Sequence, residues 1–181
     1  MSASFAQARR GRRAALGAFA GCGVVAILIA SCVSYDANEE DEVGPLRDDF
    51  AAVGEMLGAR CGSLDCHGAP GRSMRIYHHF GLRLGADDVP GGDATRDEEH
   101  DASFLSVTGL EPDAIADVLA HRGEGMEELV LYGKAYGLMK HKGGAVIAPG
   151  TKADRCLVSW LAGTVDVPAC EEAGTFARPA R

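Results

Sequence analysis

The sequence predicts a mostly α domain with long glycine-rich loops and one short candidate β-hairpin. Three stretches predict it. Leu46, Phe50, Val53 and Leu57 recur at helical spacing. Thr95-Arg96-Asp97-Glu98 has the form of a capping box, a Thr followed three residues later by Glu. Thr151 to Gly163 sets Cys156, Leu157, Trp160 and Leu161 on one face behind an N-cap threonine. Between these stretches lie connections that hold many of the chain's 24 glycines.

The first 31 residues read as a targeting segment. Arg9, Arg10, Arg12 and Arg13 form a positive n-region, and Ala14 to Ala30 is apolar and uncharged. Ile29-Ala30-Ser31-Cys32 resembles the lipobox of bacterial lipoproteins. That resemblance implies cleavage before Cys32, a lipid on Cys32, and a lipid-anchored place in the bacterial cell envelope, facing the periplasm or the outer-membrane surface. The competing reading is an uncleaved anchor, for which an apolar run of about 17 residues is marginal. Residues 32–45 are acidic and end in Gly44-Pro45, which fits a tether. Residues 1–31 carry four arginines and no acids, so 14 basic and 26 acidic residues remain after them. A chain this acidic is a poor partner for nucleic acid and suits a partner with a basic docking face.

The folded domain is expected over 46–170. Its first helix spans 46–60, with Asp48 and Asp49 in the first turn and Arg60 in the last, as the helix dipole favours. Residues 69–94 are rich in glycine and proline. Ser73–Tyr77 and Leu82–Leu84 are the candidate hairpin strands, and His78 and His79 read as turn surface between them. A helix follows from the capping box to Val107, with His100 on its solvated side. Another runs from Pro112, a residue suited to the first helical position, to Gly123, with His121 in its last turn. Residues 126–150 read as apolar and extended, then glycine-rich. The final helix is Thr151 to Gly163, and 171–181 reads as a frayed tail.

The chemistry concentrates in Cys61-Gly62-Ser63-Leu64-Asp65-Cys66-His67-Gly68. Two thiols and an imidazole fall within seven residues, directly after a helix. The pattern C-x-x-C-H is a c-type haem attachment signal, and here the gap between the cysteines is two residues longer. At this point the chain resembles the cytochrome c family, in which a four-residue gap is a minority variant. The resemblance covers roughly 46–165. It implies a cytochrome c-like helical fold and haem c held by thioethers from Cys61 and Cys66, with His67 as proximal iron ligand. It also implies a sixth ligand from the loop before the last helix, which holds Met139 and His141. The local His141-Lys142-Gly143-Gly144 resembles a His-Gly-Gly segment in haem domains of certain bacterial envelope proteins. His141 is therefore the first choice and Met139 the alternative. The family further implies that Phe50 and Trp160 pack where first and last helices cross. If haem takes Cys61 and Cys66, Cys156 and Cys170 are left to pair with one another in an oxidising compartment.

The function this implies is electron transfer by a membrane-tethered monohaem cytochrome acting on a redox partner protein, with no catalytic residues. Two alternatives stand beside it. One is a haem sensor or peroxidase with an open sixth iron site. The other is a haem-free structural or binding lipoprotein with Cys61–Cys66 as a disulfide, or with zinc on Cys61, Cys66, His67 and a distant His. The sequence contains no glycine-rich phosphate loop and no H-E-x-x-H arrangement.

Overall fold

Apolar side chains at positions 50, 53, 56 and 57 give the first helix a face that is completely withdrawn from solvent. The computed structural model describes Arg47 and residues 49–175. The stretch read as a targeting segment, Cys32, the stretch read as a tether and residues 176–181 lie outside these residues. Six α-helices are present among the described residues: α1 (Phe50–Cys61), α2 (Asp97–Thr108), α3 (Pro112–Ala120), α4 (Val130–Ala135), α5 (Lys152–Leu161) and α6 (Val167–Gly174). A 3-10 turn, Met126–Glu128, precedes α4. No helix among the described residues is long and apolar enough to cross a membrane.

The core is built around α1, which packs against α2, α5 and most extensively α6. Phe50 of α1 meets Phe104 of α2 edge-on, with ring centroids 5.3 Å apart, and meets Trp160 of α5 at 5.5 Å. Each large side chain buried this fully contributes about 1.5–3 kcal/mol through the area removed from water. At the start of α5, the Thr151 hydroxyl accepts from the Asp154 N–H at 3.2 Å, and the Asp154 carboxylate in turn accepts from the Gly150 N–H and the Tyr136 hydroxyl. These bonds tie the end of α4 to the start of α5. A disulfide joins Cys156 of α5 to Cys170 of α6.

The first helix opens at Phe50 and not at 46, with Asp49 as its N-cap and no acid in its first turn, and the structure differs from the sequence reading in four further elements. First, the 73–84 stretch holds a single bridge between Tyr77 and Leu82 instead of a hairpin, with the His78 N–H donating to the Leu82 carbonyl at 2.9 Å. Side chains of α2 take the backbone donors that a ladder would use. Ser106 accepts from the Arg75 N–H, Ser103 from the Tyr77 N–H, and Glu99 from the Leu84 N–H. Second, α2 starts later than the capping box suggested. Its N-cap is Arg96, whose N–H donates to Glu99 Oε2 at 3.1 Å. Glu99 is fully buried and holds Arg83 through two oxygens at 2.9 and 3.0 Å. Third, the stretch read as extended after residue 126 contains α4. Fourth, the stretch read as frayed from 171 continues α6, with Ala169, Cys170 and Ala173 buried. Asp166 caps that helix by accepting from the Ala169 N–H, and Pro168 sits in its first turn.

Candidate functional site

The last residue of α1 places the first thiol. Cys61 is buried at the helix end, and the chain then turns back on itself. The His67 N–H donates to the Cys61 carbonyl at 2.9 Å, while Cys66 and Gly68 both donate to the Ser63 carbonyl at 2.9 Å. The turn is so tight that a Cβ at Gly68 would lie 2.0 Å from the Gly62 carbonyl oxygen, which explains glycine there. Arg72 clamps the outside of the turn, donating to the carbonyls of Cys66 at 2.8 Å and Asp65 at 2.9 Å. Cys66 is exposed, and both Cys61 and Cys66 are free thiols.

His67 projects from this turn into a cleft of about 60 Å³, which would have to open to admit a group as large as a porphyrin. Met74, Leu110, Val130, Leu131, Ala135 and Val146 supply its apolar walls, Cys61 lies at its base, and His141 completes the lining. The rings of His67 and His141 stand 5.9 Å apart between centroids, with planes inclined by 24°. Each is fixed from behind in the same way. His67 Nδ1 lies 3.1 Å from the Met74 carbonyl oxygen, and His141 Nδ1 lies 3.0 Å from that of Gly144. A backbone carbonyl can only accept, so each ring carries a proton on Nδ1, a bond that metal-ligating imidazoles commonly make.

The two rings are stacked, so their centroid distance reports neighbourhood in one cleft and not convergence of their in-plane lone pairs. Burial pushes the His67 imidazole below its ordinary pKa, and neighbouring His141, Arg72 and Lys134 act in the same direction against the Met74 carbonyl. His67 is therefore neutral near pH 7 and able to donate its lone pair. Burial, reinforced by Cys66, pushes the Cys61 thiol up to about 12, so this sulfur is held as a thiol rather than a thiolate nucleophile.

Met139 stands apart from this arrangement. Its side chain packs on Gly133 of α4, where a Cβ would meet Met139 atoms at 2.8–2.9 Å, and it does not line the cleft. Of the other histidines, His78, His79 and His100 were read as surface and His121 as a last-turn residue; His79 is half-buried. His121 is exposed, with its Nδ1 2.9 Å from the Asp117 carbonyl oxygen. His78 and His100 are instead buried, 0% and 6% exposed, and both face Glu55 of α1. Periodicity alone did not reveal this. The signal that could have found it is the pair Gly54 and Gly58, which flank Glu55 and leave room for rings against α1.

Comparison with protein-family models, curated protein sequences and solved structures finds no match to this chain.

Proposed function

We propose that the chain is a monohaem c-type cytochrome, tethered by lipid in the bacterial envelope, that passes electrons to or from a redox partner protein. The observation that carries the reading is the His67–His141 pair. Two imidazoles 5.9 Å apart, each with its Nδ1 anchored to a backbone carbonyl, share one apolar cleft with the Cys61 thiol, next to the turn that bears Cys66. Haem bound there would supply a one-electron ferric/ferrous couple.

The chain's own part is to hold, orient and desolvate. Cys61 and Cys66 would secure the group through thioethers, and their free state favours this over a mutual disulfide. His67 and His141 are the residues that would ligate it, each ring held by the Met74 or Gly144 carbonyl. Met74, Leu110, Val130 and Leu131 would exclude water from the group, which raises a potential, while a second imidazole in place of a thioether would lower it. The disulfide between Cys156 and Cys170 leaves only Cys61 and Cys66 free for attachment among the described residues.

The test is to express the full chain in a bacterial host with haem-maturation machinery. The expected product is coloured, has a six-coordinate c-type spectrum, keeps its haem through acid–acetone extraction, and shows porphyrin and lipid additions in its intact mass. A colourless protein whose mass is that of the bare lipoprotein with two disulfides would overturn the proposal and leave the haem-free alternative.

A further inference from the structure

We propose a second metal centre, independent of the cleft: a site for a Zn2+-class divalent ion formed by Glu55 of α1 with His78 and His79 of the turn that precedes α2. One donor atom from each of these three side chains lies within 4.8 Å of the others. Glu55 Oε2 is already 3.0 Å from His78 Nε2. With metal–nitrogen bonds of about 2.0 Å, ligand atoms around a tetrahedral ion are roughly 3.3 Å apart. The His78–Glu55 pair thus meets the requirement as it stands. Closure needs only a modest swing of the half-buried His79 ring, whose centroid is 4.3 Å from that of His78.

The surroundings are those of a supported site. The other carboxylate oxygen of Glu55 lies 3.5 Å from Nε2 of His100, a buried ring packed on Gly54 that would hold the carboxylate in orientation from outside the coordination shell. An open cavity lined by Asp49, Glu55, His100 and Glu171 reaches the Glu55 side of the cluster, setting acidic groups near that ligand. Two imidazoles and one carboxylate are borderline donors suited to zinc. Magnesium and calcium prefer oxygen alone, and no thiolate is present to select a softer ion. Loading moves the His78 proton from Nε2 to Nδ1, so the Phe80 N–H gives up its 3.3 Å contact with Nδ1. The ion would link α1 to the 77–82 turn in place of the present His78–Glu55 hydrogen bond.

The experiment is isothermal titration of Zn2+ into the metal-stripped full chain near pH 7.5, with thermal midpoints measured in parallel. The expected result is one equivalent bound, with a raised midpoint. His79→Ala and Glu55→Gln should each weaken binding at least about tenfold, and His100→Gln should weaken it by about 10–100-fold as an orienting residue. His121→Ala should leave binding unchanged, and Mg2+ should give no heat. His79→Ala keeps the test valid if Glu55→Gln fails to fold, because His79 is not part of the buried core. No Zn2+ uptake by the wild-type chain would overturn the proposal. So would uptake that survives both His79→Ala and Glu55→Gln, or that is lost on His141→Ala and thereby assigned to the cleft.

Discussion

The His78 side chain packs against Gly58, so close that a Cβ at position 58 would stand 2.2 Å from its Cδ2. Glycine in a helix interior normally costs about 1 kcal/mol relative to alanine. Here that cost is offset by burial of a ring that no side chain at 58 would admit. Gly58→Ala is therefore expected to destabilise the protein by about 1–3 kcal/mol, against its helix propensity, because the ring must leave its pocket. Gly71→Ala is the control: no atom lies within 4 Å of its would-be Cβ, so the change should stay within about 0.5 kcal/mol. Chemical denaturation of the two variants makes the comparison. Equal midpoints would show that His78 is free to move.

Carbon monoxide separates the two candidates for the ligand opposite His67. On the proposed reading, the reduced wild-type protein binds carbon monoxide slowly, since His141 must first dissociate. His141→Ala vacates the position and should bind it rapidly, with a shifted visible spectrum. Met139→Leu should leave the spectrum unaltered and cost less than about 1.5 kcal/mol, as a volume-conserving change at a packing position. Rapid binding by Met139→Leu, with none by His141→Ala, would transfer the ligand role to Met139.

The contrast between these histidines also shows how far the sequence could be read. The positions of α1, α2, α3 and α5 follow from local signals: spacing of Phe50, Val53 and Leu57, acids in the first turn of α2, Pro112, and the Thr151 cap. The mostly helical class was legible for that reason. His141 was singled out by the resemblance of its short pattern, and the structure places it in the cleft lining beside His67. The burial of His78 and His100 could not be seen, because it depends on the glycines of α1 coming to face two other elements. Helix α4 was missed because Leu129 to Tyr132 is continuously apolar, a run that fits strand and buried helix equally well. Helix α6 did have local signals, Asp166 and Pro168, but its stability comes from packing on α1 and from the Cys156–Cys170 bridge.

Acid should unfold the protein in two stages. Burial lowers the pKa of His100 below its ordinary 6.5, although Glu55 opposes the shift. The unfolded chain therefore takes up a proton first, and stability begins to fall as the pH drops below about 6.5. Glu55 and Glu99 act lower on the scale. Burial would raise both carboxyls, but hydrogen bonds from His78 and Thr95 to Glu55, and from Arg83 and two backbone N–H groups to Glu99, outweigh it and hold each at about 2. Their contribution is complete above the ordinary 4.5 and is lost as the pH falls from there through about 2. Glu99→Gln removes one charge of the buried Arg83 pair and should cost about 3–5 kcal/mol at neutral pH while flattening the lower stage. Circular dichroism followed from pH 8 to pH 2 makes the measurement. A variant as stable as wild type at pH 7, with the same acid limb, would rule out the pair as its source.

The bridge between Cys156 and Cys170 should matter more than its position near the end of the described chain suggests. It closes a short loop, with 14 residues of sequence separation, and in the chain-entropy view a loop of this size contributes about 3 kcal/mol. It also fastens α6 to α5, and α6 is the helix that α1 packs against most extensively. The double variant Cys156→Ala/Cys170→Ala is expected to lose about 2–4 kcal/mol. Because the cleft is formed by α4, the 61–74 turn and the 141–146 loop, its histidine pair should survive that loss. The expected outcome is a lowered thermal midpoint with the visible spectrum of the loaded protein preserved. A midpoint unchanged by the double substitution would show that α6 is held by packing alone, and a lost spectrum would show that the α5–α6 pair supports the cleft directly.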